Sequence, residues 1–307
     1  MSSRNLLNLI LLVVIAVLVA VVVYKPGKQV PPVVKLTSLS KAAIHKIEIE
    51  RSGAHHKVVL EKQNGSWRML EPYAMPANQF EVADVIELAE VQSKAHYPIK
   101  PGEDLKPFGL DKPGVSVTFN DKVKLELGGT EPLNYQRYVR NGATLHLIFD
   151  AYFYKLSADP TKFVDHALLP GKPTITKLVL PTLSLTAQGN SWQAQPPVKQ
   201  LSNDQVNELL DNWTGAQAAD LLTYKPAGVQ QQAQVYLKGQ TKPLVFDILH
   251  EDHAIALGRA DIGLKYQFTE EIGKSLLQLP AKINADLPKA TPTKPEAKPG
   301  KPTANSK

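Results

Sequence analysis

Asn64 to Pro72 reads NGSWRMLEP, and Gly189 to Pro197 reads GNSWQAQPP, with the tryptophan and the last proline in register. One chain carries the same phrase twice, so the residues on either side decide whether a whole folding unit recurs. Before the first copy, IHKIEIE (Ile44 to Glu50) alternates apolar and polar side chains, Ser52-Gly53 offers a turn, and KVVLEK (Lys57 to Lys62) resumes as a strand. Asn64-Gly65 supplies a tight turn into the strand that carries Trp67. After the prolines, Asn78 is placed to cap a helix with Glu81 three residues on, and Val82, Val85, Ile86 and Ala89 share one face.

The second copy follows the same order. ITKLVL (Ile175 to Leu180), a turn at Pro181, LSLTA, a turn at Gly189-Asn190 and the Trp192 strand precede a helix capped by Ser202 and Gln205, with Val206, Leu209, Leu210 and Trp213 on its apolar face. VSVTF (Val115 to Phe119) and AQVYL (Ala233 to Leu237) then occupy matching places. A hairpin, YQRYVRNGATLHLIF, has its type I′ turn expected at Asn141-Gly142, and its looser counterpart is HAIALGRADIGLKYQF. A short apolar helix closes each copy, FDAYFYKL in one and EEIGKSLLQL in the other. The expected fold class is α+β, with two tandem homologous units of antiparallel sheet plus helix. Trp67, Pro72, Trp192 and Pro197 are expected to form the structural core of the repeat, each tryptophan plugging its sheet against its helix and each proline ending its strand.

Ahead of the units, LLNLILLVVIAVLVAVVVY (Leu6 to Tyr24) has Asn8 as its only polar interruption, and as a helix rising ~1.5 Å per residue it matches a bilayer core of ~30 Å. A cleaved signal peptide has a shorter apolar core and a small-residue cleavage site, and no such site precedes Lys25, so the run reads as an uncleaved transmembrane anchor in contact with lipid. The full division is a cytoplasmic head at 1–5, the anchor at 6–24, a proline-stiffened linker at 25–43, the units at 44–170 and 171–285, and a tail at 286–307. Rich in Pro, Lys, Ala and Thr, the tail lacks the apolar residues a core requires and reads as a disordered, solvated end, the alternative being a contact with anionic envelope polymer or lipid headgroups.

The net charge of +6 is confined to the ends. Residues 1–35 hold four basic residues and no acids, and residues 286–307 hold five lysines against Asp286 and Glu296, which leaves 36–285 at −1. Nucleic-acid binding needs Lys and Arg clustered on one folded face, so it is excluded as a leading reading. With no cysteine, thiolate metal sites, disulfides and a cysteine nucleophile are absent as well.

FGLDKPGVSV (Phe108 to Val117), GSW with LEP, LELGG (Leu125 to Gly129) and YVR (Tyr138 to Arg140) together resemble the bacterial domain-of-unknown-function family DUF4340, across most of the first unit and more faintly in the second. The resemblance implies an anchored envelope protein, in some cases encoded beside ABC-type exporters of the gliding-motility kind, and it carries over no catalytic residues. The second unit lacks the GLDKP phrase.

Motifs that bear chemistry are sparse. His250-Glu251-Asp252-His253 puts two histidines three apart, not at the i, i+4 spacing of a zinc helix, and His55-His56 would diverge to opposite faces of a strand. No GxSxG elbow occurs, Gly128-Gly129 lacks a following phosphate-loop lysine, and Asp104, Asp111 and Glu131 gain no role from position alone. The strongest polar cluster is Tyr135, Arg137, Tyr138 and Arg140, read as a partner-binding candidate with Tyr135 and Arg137 on one strand face and Tyr138 and Arg140 on the other. The reading is therefore a non-catalytic accessory or scaffold of a cell-envelope complex, without a cofactor or a metal. It is a single-pass protein of the bacterial inner membrane with most of its chain in the periplasm, its partner a membrane complex such as an ABC-type exporter. The alternative is an envelope hydrolase or glycan-binding protein that uses a cleft between the units.

Overall fold

A computed structural model describes residues 3–24, 34–52, 57–228 and 230–281. The turn at Gly53, the His55-His56 pair, residues 25–33 of the linker and the 286–307 tail lie outside the described residues. The chain divides into two compact units, Met1–Asp165 and His166–Lys307.

Helix α1 spans Ser3–Tyr24, and its described side chains, Arg4 to Ala20, are all exposed. Among the described residues no helix is long and apolar enough to cross a membrane. The expected anchor, Leu6 to Tyr24, runs past the last of those described side chains.

The first unit is built on one antiparallel sheet. Its strands are β1 (Lys46–Arg51), β2 (Lys57–Gln63), β3 (Ser66–Glu71), β4 (Met75–Pro76), β5 (Ala95–Pro98), β6 (Val115–Phe119), β7 (Val123–Thr130), β8 (Gln136–Asn141) and β9 (Thr144–Phe149). Helix α2 (Gln79–Glu87) follows β4, and α3 (Phe153–Ser157) follows β9. In space the strands run β4-β3-β2-β1-β6-β7-β8-β9-β5. The second unit holds β10 (Ile175–Val179), β11 (Ser184–Gln188), β12 (Ser191–Gln195), α4 (Asn203–Gly215), β13 (Asp220–Thr223), β14 (Gln231–Leu237), β15 (Leu244–Glu251), β16 (Ala254–Arg259), β17 (Leu264–Thr269) and α5 (Glu270–Leu277). Its sheet runs β12-β11-β10-β14-β15-β16-β17-β13, which is the first order without β4.

Both expected helix caps form. Asn78 accepts from the N–H groups of Phe80 and Glu81, and Ser202 with Gln205 makes a reciprocal capping box. Val82 and Val85 in one unit, and Val206, Leu209 and Trp213 in the other, are the buried helix faces. The sheets bury their alternate residues, with Ile47, Ile49, Val117, Leu125 and Leu127 inaccessible in the first and Leu178, Leu185, Val235, Phe246 and Leu257 in the second.

Three local expectations need correction. Asn141 pairs with Thr144, so the hairpin loop is Gly142-Ala143 and not Asn141-Gly142. Only Gly142 has positive φ there (57°), as in a type II′ turn. Asn141 instead sends its side-chain amide 2.6 Å to the Leu36 carbonyl.

The two copies of the phrase are also not equal in length at the proline. In the first, Leu60 pairs with Met69 but Val59 pairs with Glu71, so Leu70 is an extra bulged residue. In the second, Leu185 pairs with Ala194 and Ser184 with Gln195 without a shift. The strand-ending cis proline is therefore Pro72 in one copy and Pro196 in the other, and Pro197 lies one residue beyond it.

Finally, Trp67 is buried, whereas Trp192 is only half-buried. Its strand β12 is the sheet edge, with no counterpart of β4 to cover it. The tryptophan in the second core is Trp213, from α4, which packs edge-on to Phe246 at 5.4 Å and donates its indole N–H to the Leu276 carbonyl at 2.7 Å.

Candidate functional site

Three of the family-like phrases of the first unit, FGLDKPGVSV, LELGG and YVR, meet around β7 and β8, while GSW and LEP lie apart on β3. Gly109 has φ of 64°, and a Cβ there would lie 2.8 Å from the Gly129 amide nitrogen. Glycine thus serves twice at this position, in its backbone angle and in its close approach to a second strand. A Cβ on Gly128 would collide with the Phe108 carbonyl oxygen and come within 2.8 Å of Leu110, which is buried. The turn at Phe108-Gly109-Leu110 therefore seats directly on the Gly128-Gly129 segment, where the β7–β8 pairing shifts register.

Arg137 locks this seat. Its Nη1 donates to the Gly128 carbonyl at 2.7 Å, its Nε and Nη2 both reach Asp150 Oδ2, and its guanidinium lies 4.0 Å from the Phe153 ring centre. Asp150 Oδ1 in turn accepts from the Phe153 N–H at 3.3 Å, and a Cβ on Gly114 would stand 3.0 Å from the Phe153 ring. Arg140 pairs with Glu126 on the neighbouring strand, and that hydrogen bond, with the attraction of the two charges, pushes its guanidinium above the ordinary value despite partial burial. Tyr138 meets Phe108 edge-on, with ring centres 5.0 Å apart.

The four candidate residues thus separate. Arg137, Tyr138 and Arg140 are struts within the unit. Tyr135 precedes β8 with φ of 56° and is not on a strand, so it shares no strand face with Arg137. It is exposed, as are Leu133, Phe149 and Tyr154, all between 71% and 87%. Phe149 pairs with Gln136, the residue next to Tyr135.

The second unit carries a buried polar cluster toward the other end of the matching strands, where β15 meets the last residues of β16. Asp247 on β15 accepts from the Tyr224 hydroxyl at 2.8 Å and from the Gln232 side-chain amide at 2.9 Å. Tyr224 reaches it by lying across Gly258, where a Cβ would come within 2.5 Å of the ring. Burial, with the Asp247 hydrogen bond and charge, pushes the Tyr224 hydroxyl up to about 12. Arg259 on β16 makes two bonds to Asp261, at 2.8 and 2.6 Å. Sequence reasoning did not find this cluster, because the acid and its donors come from three separate segments. Gly258 within a strand was its one local signal.

His250, Glu251, Asp252 and His253 sit at the β15–β16 hairpin, with Glu251 opposite Ala254 and His253 at φ of 58°. They line a cavity of about 330 Å³ together with Glu270 and Lys274. Among the described residues no group of three or more His, Cys, Asp or Glu side chains is placed to hold a metal ion.

No curated protein and no solved structure matches the chain. The family model described as "Domain of unknown function (DUF4340)" matches residues 67–238, more than half of the sequence, from the Trp67 strand to the end of β14. The chain belongs to the DUF4340 family.

Proposed function

We propose that this protein is a membrane-anchored accessory or scaffold protein whose first unit docks a membrane-embedded partner, with the folded units in the periplasm and no chemistry of its own. The observation that carries the reading is the division of labour at 128–154. Arg137, Tyr138 and Arg140 hold the segment rigid, while Leu133, Tyr135, Phe149 and Tyr154 face outward. Exposed aromatic residues on a stiff frame suit an interface, because ring contacts lose little side-chain freedom on binding.

The anchor in this reading is the apolar run from Leu6 to Tyr24, long enough as a helix for a hydrocarbon core of ~30 Å. The exposed aliphatic side chains all round α1, from Leu6 to Val19, support it. The family resemblance suggests an ABC-type exporter as the complex.

Co-purification of the full-length protein from gently solubilised membranes tests the proposal, with Tyr135→Glu/Phe149→Glu and an anchor-swapped chain alongside. The expected result is an integral membrane protein recovered near one-to-one with the wild type and lost with the double variant. Equal recovery with wild type and double variant, or background proteins alone, would overturn it.

A further inference from the structure

A cavity of about 440 Å³ opens on the second unit beside β14 and β15, lined by Gln232, Gln240, Lys242, Asp247 and Asp261 among others. It lies on the face of β15 that carries Asp247, opposite the face where Phe246 meets Trp213. Its volume is that of a site for a small molecule.

The charges around it are unevenly matched. Asp247 is 94% buried, and both oxygens accept from neutral donors, the Tyr224 hydroxyl and the Gln232 amide. No Lys or Arg side chain among the described residues forms an ion pair with it. A buried carboxylate with only neutral partners is costly unless a cation completes its surroundings. Arg259 does not provide that cation, because its guanidinium is already matched by Asp261. Lys242 lines the same cavity, is exposed, and has no carboxylate partner among the described residues. One buried carboxylate and one unmatched ammonium therefore face a single small space, with two glutamine amides beside them.

We infer that this cavity binds a small zwitterion, an amino acid or a short peptide, with the ligand ammonium on Asp247 and its carboxylate toward Lys242. Gln232 holds Asp247 in place from β14, and Gln240 is positioned to meet a ligand amide. Aliphatic stems of Leu244 and Val245 give the cavity an apolar wall for a small side chain. The inference is independent of the docking role of the first unit and would survive its failure.

The test is titration of the full-length protein, in detergent micelles, with alanine and dialanine followed by calorimetry. N-acetyl-alanine and alanine amide serve as probes lacking the ammonium and the carboxylate respectively. Binding of either zwitterion, weakened roughly tenfold or more by blocking either end, is expected. Asp247→Asn should remove the advantage of a free ammonium, and Lys242→Ala, at an exposed position that leaves folding intact, the advantage of a free carboxylate. Alanine against dialanine separates an amino-acid site from a peptide site. The inference is overturned if neither zwitterion binds the wild type at millimolar concentration, or if Lys242→Ala binds both blocked and free forms as the wild type does.

Discussion

The Arg137 guanidinium lies 4.0 Å from the centre of the Phe153 ring while its Nη1 donates to the Gly128 carbonyl at 2.7 Å, tying β8, α3 and the β7 glycine pair into one joint. Lysine cannot reproduce a planar fork that stacks and donates in several directions at once. Arg137→Lys and Arg137→Ala are therefore both expected to lower stability, by about 2–4 kcal/mol, since each leaves Asp150 and the Gly128 carbonyl short of a donor in a partly buried place. Urea unfolding measures it, and a lysine variant as stable as wild type would contradict the joint.

Glycine at 128 is required by space. Gly128→Ala drives a methyl group into the Phe108 carbonyl and Leu110, so a loss of about 2 kcal/mol or more is expected. Gly215, at the exposed end of α4, has nothing within 4 Å of the place an added methyl would take, and Gly215→Ala is expected to be neutral or slightly stabilising. Thermal melts of the two variants check the contrast.

Tryptophan substitutions should separate core from edge. Trp213→Phe removes the donor to the Leu276 carbonyl and leaves a void, with an expected cost of about 2–4 kcal/mol. Trp192→Phe, on the half-buried edge strand, is expected to cost less than about 1 kcal/mol. Denaturant midpoints for the pair measure this, and equal losses would mean that the two tryptophans are equivalent after all.

His146 gives the first unit an acid-sensitive point. Burial, with repulsion from His96 alongside, holds its imidazole below the ordinary value. The folded state favours the neutral ring, whereas the unfolded chain binds a proton near pH ~6.5. Its contribution is therefore fully present above that pH and is lost as pH falls through it toward the lowered folded value. His146→Gln is expected to flatten this acid arm, read as a smaller drop in urea midpoint between about pH 7.5 and 5.5 than wild type gives.

Much of this architecture could be read from residues alone where the signal was local. Turn pairs, caps at Asn78 and Ser202, and alternating strands placed most of both units in order. Strands β5 and β13 escaped notice because they are four residues long and pair only with β9 and β17, distant in sequence. The Leu70 bulge escaped because alignment by tryptophan assumes equal spacing, and the register shift exists only once Val59 meets Glu71. At the candidate site, the types at 135–140 were legible but not their partners. Whether an arginine faces outward or is held by Asp150 and Glu126 depends on strands brought together by folding. Asp247 was one acid among many until Tyr224 and Gln232 converged on it.

The most direct measurement of the central claim is photo-crosslinking in living cells from benzoyl-phenylalanine placed at Tyr135, at Phe149 and, as an exposed control in α4, at Asp211. The account expects one membrane protein to crosslink from both 135 and 149 and not from 211. Crosslinks absent from 135 and 149, or no different from those at 211, would contradict a docking role for the first unit.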